Sequence, residues 1–319
     1  MNFNSSKMLF YTTMLMGVTM SISSNNWIMM WCGLEISLVS FIPLMVSKLI
    51  MSSESSIKYF IIQSISSSML MLGITFMIMK GDYNYEYAMM TALLIKTGVC
   101  PFHNWVLTVL EGLDFYMILI MLTINKIAPL TMMSYIMSSM VLIIYLTTMM
   151  GAIMGLNQNS LKKLMGYSSI FNMGLIMAAL KMNWMWMLYL LIYSFLLFML
   201  SMFMNMNNLN LINQIMFSSS VLMSMCLWIN MLSMGGMPPL MGFSIKYLVM
   251  MFLVSTKMNM MIFVMVISSL LVVFFYLRLT FISSMNNFIT NKMKLFNLKE
   301  ISLWMIVVNT LTLPMMLMV

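Results

Sequence analysis

The chain has 319 residues, of which 62% are hydrophobic and only 7% charged, with a formal net charge of +8. Ordinary soluble domains carry roughly 25% charged residues, so this composition excludes a soluble enzyme and leaves no room for a water-facing catalytic domain. The basic residues are scattered between apolar stretches instead of gathered on one polar face, which argues against nucleic acid as a partner.

Apolar windows of about 20 residues bounded by polar clusters predict an all-α, polytopic transmembrane helix bundle of about eleven spans. In chain order they cover Met8–Ile22, Trp27–Ser47, Ile57–Met79, Ala88–Leu110, Phe115–Ser134, Ile136–Leu156, Leu161–Leu180, Trp184–Met204, Ile215–Ser255, Asn259–Ser283 and Ile301–Val319. Met1 to Lys7 lacks the Arg-rich amphipathic pattern of an import presequence, and the first apolar stretch reads as a transmembrane helix more readily than as a signal-peptide core.

Two segments depart from the rest. The fourth is interrupted by Pro101, and the ninth is far too long for one crossing and contains Gly235, Gly236, Pro238 and Pro239. A proline removes a backbone donor and clashes one turn back, and a Gly pair lets the chain turn, so both segments are expected to be broken helices. Inside hydrocarbon a break survives only where protein or a wet cavity satisfies the freed backbone groups. Each break lies close to a lysine, Lys96 ahead of Pro101 and Lys246 beyond Pro239. Paired broken helices point to two inverted repeats with their sites near the midplane, here residues 1–134, shortened, and 135–283, with 284–319 forming a loop and a C-terminal transmembrane helix.

Four ionisable side chains, Glu35, Lys96, Lys126 and Lys246, stand near the middle of apolar stretches. A charge at that depth costs about 2.5–3.5 kcal/mol on insertion scales and is a functional hypothesis by default. At about 1.5 Å per residue, Glu35, Lys96 and Lys126 each lie about 12–17 Å into their spans, close to the centre of a core about 30 Å thick. Burial disfavours the charged form of a lysine and a nearby carboxylate favours it, so a lysine can be switched by moving its partner. The proposed switch is Glu35 holding Lys96 protonated in one state and releasing its proton toward Lys126 and Lys246 in another. Glu35 and Lys96 could instead be a static buried pair, and Lys246 could serve only to satisfy carbonyls freed at the break. His103, the one histidine, titrates in the right range for a relay, or makes a structural hydrogen bond at the first break.

Lysines flanking the spans set the expected topology. One side receives Lys7, Lys48, Lys58, Lys162, Lys163, Lys292, Lys294 and Lys299, the other only Lys80, Lys181 and Lys257, which places the N-terminus inside. Arg278 can snorkel to the same side and is expected to be structural. Gly151 and Gly155 form a small-residue face for close helix packing. The cysteines at 32, 100 and 226 are far apart, so neither a disulfide framework nor a metal site follows. Methionine fills 53 positions and reads as packing, since its flexible thioether replaces Leu or Ile at small cost.

Several stretches carry a family resemblance. Met234 to Phe243 (MGGMPPLMGF) followed by Lys246, Pro101-Phe102-His103-Asn104-Trp105 after Lys96, Asn125-Lys126-Ile127-Ala128-Pro129-Leu130, and Ser160 to Leu164 with Tyr167-Ser168-Ser169-Ile170 together resemble the subunit 2 family of mitochondrial NADH:ubiquinone oxidoreductase, respiratory complex I. The opening, Trp27, Trp31, Gly33, Leu34, Glu35 and Ser40 to Leu44, resembles its invertebrate members, and the Met-rich, Arg-poor composition resembles that of proteins encoded by AT-rich mitochondrial genomes. The resemblance implies an antiporter-like, proton-translocating membrane-arm subunit with no redox centre or cofactor of its own, in a complex that uses NADH, FMN, iron–sulfur clusters and ubiquinone. It further implies other membrane-arm subunits and phospholipids as partners, and a multi-pass location in the mitochondrial inner membrane with the N-terminus in the matrix and the C-terminus in the intermembrane space. By position, Glu35 and Lys96 resemble the family's buried pair, Lys126 its central lysine and Lys246 its exit-side lysine. Two departures stand out. Val106, Leu107 and Thr108 replace a frequent proline and acid, and Asn172 stands where a histidine is frequent, so a relay there would need water. A stand-alone cation/proton antiporter or a purely structural membrane-arm subunit are the competing assignments.

Overall fold

The computed structural model describes residues 5–47, 50–80, 86–136, 140–182, 184–217 and 221–289. The expected last span, Ile301–Val319, and Lys48, Lys292, Lys294 and Lys299 lie outside the described residues. Every named element among the described residues is a helix, with one isolated antiparallel bridge between Ser160 and Leu211. Five helical stretches have the length and apolarity to cross a membrane unaided: Trp27–Met45, Ile50–Met79, Phe115–Tyr135, Met185–Asn207 and Asn259–Ile282. The chain divides into two compact units, Met1–Ile143 and Ile144–Val319.

The first unit contains α1 (Ser5–Ser23), α2 (Trp27–Met45), α3 (Ile50–Lys80), α4 (Glu86–Thr97), α5 (Asn104–Gly112), α6 (Phe115–Leu122) and α7 (Ile124–Tyr135). Backbones of α1 and α2 touch. A Cβ placed on Gly33 would lie 2.6 Å from Gly17 O, and one on Gly17 would lie 2.7 Å from Ser37 N, the close approach that small residues permit between apolar helices. Helix α3 begins at Ile50, about two turns before the expected Ile57. Its early serines explain the extension: Ser53, Ser55 and Ser56 each donate to the carbonyl three residues back, and Glu54 pairs with Lys58 at 2.6 Å one turn on. The fourth segment is broken, as Pro101 led one to expect, into α4 and α5. The absence of proline after Trp105 does not disturb α5, which runs regularly from Asn104 to Gly112. A break that the sequence did not announce occurs at Thr123 (φ −118°, ψ −77°), between α6 and α7.

The second unit begins within α8 (Val141–Gly155) and continues through α9 (Leu161–Ala179), α10 (Met185–Asn207), a 3-10 turn at Ile212–Phe217, α11 (Val221–Gly235), α12 (Met241–Ser255) and α13 (Asn259–Ile289). Helix α9 is its core. Every residue in it except Lys162 and Lys163 is buried, the signature of a helix surrounded on all sides. Gly151 lets α8 approach α9 closely, since a Cβ there would meet Phe171 N at 2.6 Å. The long segment from Ile215 to Ser255 is broken after Gly235, again as expected. Arg278 on α13 donates to Leu156 O at 2.8 Å and Gln158 O at 3.2 Å, closing the end of α8, so its role is structural.

Because the α1–α2 contact leaves no space for a side chain, Gly33→Leu is expected to force the helices apart at a cost of about 1–3 kcal/mol or more. A lower thermal midpoint and lower abundance of the detergent-extracted chain would register it.

Candidate functional site

In the first unit the break after α4 builds the site. Gly98 takes φ +70°, a conformation costly for residues with a Cβ, and its N–H turns back to Leu94 O and Ile95 O. The carbonyls that would have continued the helix are met by side chains from elsewhere. Trp105 Nε1 donates to Ile95 O at 3.1 Å, and Gln63 Nε2, from the middle of α3, donates to Lys96 O at 3.2 Å. Lys96 therefore occupies the last turn of a half-helix, where the carbonyl ends favour a cation. Its side chain is 3% exposed, and its Nζ lies 3.8 Å from Oε1 of Glu35, whose side chain is 28% exposed. That separation is an ion pair without a direct hydrogen bond, and Glu35 Oε1 has no hydrogen-bond partner. On its other side Glu35 borders an apolar groove of about 400 Å³ along α1 and α2, lined also by Leu9, Phe10 and Val39.

Lys96 shares a cavity of about 30 Å³ with Lys126, Asn125, Gln63, Tyr59 and Thr97. A water needs about 10–15 Å³ by this measure, so the cavity takes about two. Lys126 is buried and is the third residue of α7, the second half of the span broken at Thr123, with Pro129 in the following turn. His103 lies in the turn between α4 and α5, buried, with Nδ1 unpaired, and it is not among the residues lining the cavity. Pro101 stands in the same turn.

In the second unit the break after α11 builds a different arrangement. Gly236 takes φ +87°, and the N–H groups of Gly236 and Met237 both turn back to Leu232 O. Here the freed carbonyls are met by the lysine itself: Lys246 Nζ, from the second turn of α12, donates to Gly235 O and to Met234 O. The ammonium also lies 5.2 Å from the centre of the Phe171 ring, a cation–π distance. The sequence has no acidic residue between Asp114 and Glu300, so no carboxylate among the described residues of this unit can pair with Lys246. A cavity of about 10 Å³ beside it is bordered by Asn172, Tyr189, Tyr193 and Ser233, and Tyr189 donates its hydroxyl to Asn172 Oδ1 at 2.9 Å. Gly235 ends α11, and Pro238 and Pro239 occupy the connection to α12.

The structure thus brings Glu35, Lys96 and Lys126 together in the first unit and gives Lys246 its own surroundings in the second. Gln63, Tyr59 and the pairing of Tyr189 with Asn172 were not singled out in the sequence, and Asn125 entered there only as part of a family stretch. Signals existed for two of them: Gln63 is the one amide in α3, and Asn125 stands four residues before Pro129, whose ring denies its carbonyl a helical partner. Among the described residues no group of three His, Cys, Asp or Glu side chains converges on a metal position.

The model of the NADH:quinone oxidoreductase/Mrp antiporter transmembrane family matches residues 24–86 and 83–272, a stretch that holds Glu35 and all three lysines. The chain belongs to this family. It is 38% identical to NADH-ubiquinone oxidoreductase chain 2 of Anopheles gambiae over 303 residues, covering 91% of this chain and 89% of the mosquito chain. To the chain 2 of Rhinoceros unicornis it is 36% identical over 334 residues, covering 96% and 95%. The fold is similar to that of a chain of respiratory complex I from Thermus thermophilus, with a TM-score of 0.84, 20% identity and coverage of 97% of this chain and 77% of the bacterial one. It is also similar to a chain of the Mrp complex from Dietzia, with a TM-score of 0.75, 14% identity and coverage of 85% and 59%.

At the second break a methyl group on Gly236 would sit 2.8 Å from Lys246 Nζ, on a backbone already at positive φ. Gly236→Ala is therefore expected to displace the ammonium from the α11 carbonyls and to destabilise the chain by about 1–3 kcal/mol, seen as earlier thermal unfolding in detergent.

Proposed function

We propose that the chain is a core membrane-arm subunit of a proton-pumping NADH:ubiquinone oxidoreductase, carrying protons through a buried Glu/Lys relay while quinone is reduced elsewhere in the complex. The observation that carries the relay is the single cavity lined by Lys96 and Lys126, with Glu35 placed 3.8 Å from the first of them. Identity above 35% to chain 2 of this oxidoreductase over nearly the whole length supports the assignment. The complex supplies NADH oxidation, FMN, iron–sulfur clusters and ubiquinone. This chain supplies positioned titratable groups. Its setting is the mitochondrial inner membrane, crossed about eleven times by helices of about 20 residues, with the N-terminus in the matrix, the C-terminus in the intermembrane space, and phospholipids and other membrane-arm subunits around it. The two units correspond to inverted repeats, each with a helix broken beside a lysine, Lys96 in the first and Lys246 in the second.

The relay works by exchanging partners. Two unit charges about 4 Å apart in a partly screened interior interact by about 4 kcal/mol, comparable with the ~4 kcal/mol needed to move one proton against ~180 mV. With Glu35 close, Lys96 holds its proton. When the carboxylate is withdrawn or neutralised, the buried ammonium loses its counter-charge, and the proton passes into the cavity toward Lys126 and from there to Lys246. Lys246 can yield one proton and still donate two hydrogens to Met234 O and Gly235 O, so the helix break stays satisfied through the cycle. His103 lies outside the cavity that joins the lysines and is assigned to the turn.

In the assembled complex, Glu35→Gln and Lys126→Met are each expected to lower coupled NADH:quinone turnover by about tenfold or more and to reduce the protons moved per electron pair. Unchanged rate and stoichiometry in Glu35→Gln would sink the switch.

The likeness to the Mrp complex keeps a second assignment in view, a stand-alone cation/proton antiporter. A hard cation prefers several oxygen ligands, and the described interior offers one carboxylate, Glu35. Native-gel separation of mildly solubilised mitochondrial membranes, with mass spectrometry of the bands that oxidise NADH, separates the two. The chain is expected in a very large NADH-oxidising band, whereas recovery mainly in small inactive particles would favour the antiporter.

A further inference from the structure

Asn125 is the residue of the first site whose chemistry the lysine relay leaves unused. It borders the cavity shared by Lys96 and Lys126. Both atoms of its amide, Oδ1 and Nδ2, are inaccessible to solvent and make no well-formed hydrogen bond to the protein, although the Tyr59 hydroxyl stands beside it. Buried polar atoms are nearly always paired, and a group left unpaired at both ends calls for a ligand or a water. The neighbouring amide behaves differently: Gln63 borders the same cavity but is committed to Lys96 O. One amide is fixed by a backbone carbonyl, and the other has only the Tyr59 hydroxyl beside it.

We propose that Asn125 is a positioning residue for proton transfer between Lys96 and Lys126, its amide holding the cavity waters and turning over as they reverse. The inference rests on the lysine relay. In the transfer, an N–H bond of charged Lys96 breaks and an O–H bond forms on the first water. That water passes one of its other hydrogens to the second water, which passes one to the lone pair of neutral Lys126. One proton has moved, both waters are restored, and their dipoles now point the other way. An amide presents an acceptor at one end and a donor at the other, so a half-turn about its last torsion matches either polarity of the water pair. No well-formed protein hydrogen bond is broken in that turn, and the one contact that has to adjust is that with the Tyr59 hydroxyl. Ser37, Tyr59, Gln63, Thr97 and Trp105 complete the polar lining without a charge, which leaves the direction of the waters to the lysines and the amide.

The test uses the assembled complex reconstituted in vesicles. Asn125→Leu keeps the branching at Cγ and removes both donor and acceptor. Asn125→Asp keeps the shape and, when ionised, accepts only. Both variants are expected to lower proton translocation per electron pair and coupled turnover by about tenfold, and to raise the solvent deuterium isotope effect on coupled turnover, which a merely structural residue would not move. Wild-type stoichiometry and isotope effect in an assembled Asn125→Leu complex would overturn the proposal. Should the variants fail to assemble, a high-resolution map of the wild-type complex decides. Ordered water within hydrogen-bonding reach of Asn125 and both lysines supports the proposal, and a dry cavity with the amide bonded to Tyr59 refutes it. Lys126→Met separates the two levels: if it pumps normally, the relay itself fails, whereas if it abolishes pumping and Asn125→Leu does not, only the role of Asn125 is lost.

Discussion

A carbonyl released from a helix inside hydrocarbon must find a donor, and the breaks beside Lys96 and Lys246 answer that demand in opposite ways. At the first, neutral donors do it: Trp105 takes Ile95 O and Gln63 takes Lys96 O. The ammonium of Lys96 is thereby left over, free to face Glu35 on one side and the cavity on the other. At the second, Lys246 satisfies the carbonyls of Met234 and Gly235 itself. A charge that also serves as a cap is tied in position, while a charge relieved of capping can exchange partners. The same local event, a helix broken beside a lysine, thus pairs the ammonium with a carboxylate in one unit and with freed carbonyls in the other.

The breaks at Pro101 and at Gly235 to Pro239 were legible because proline and glycine act on the backbone within a turn of where they stand. The interruption at Thr123 was not, since only Pro129, six residues on, hints at it, and Thr123 hides its own distortion by donating to Leu119 O at 2.7 Å. Glu35 and Lys96 were legible as charges at depth, but their pairing joins residues 61 positions apart and follows from packing alone. Gln63 illustrates the limit best. One amide in a 31-residue apolar helix looks incidental until the carbonyl it serves, 33 residues away, is known to have lost its helical partner.

The unusual composition is absorbed in two ways. Serines and threonines spend their hydroxyls on carbonyls three or four residues back, as Ser37, Ser66, Thr147 and Ser268 do, so a serine-rich span remains compatible with an apolar environment. Methionines serve both surfaces, with Met14 and Met89 fully buried and Met16 and Met79 exposed. Neither group marks the site. What marks it is the handful of amides, phenols and charges that local backbone bonding leaves unsatisfied.

The two partners of the ion pair are held unequally. Lys96 is held in the last turn of α4, 3% exposed, with its carbonyl bound by Gln63. Glu35 is 28% exposed, its Oε1 makes no hydrogen bond, and it borders the open groove along α1 and α2. Little resists a displacement of the carboxylate, and much resists one of the lysine. Two residues before Glu35, Gly33 lies against Gly17 with no side chain between the backbones. Close-packed backbones have little room to absorb a shift, so in the proposed relay α1 and Glu35 move together. In the proposed relay, control of the Glu35–Lys96 distance therefore falls to α1 and α2, on the opposite side of the pair from the break that holds the lysine.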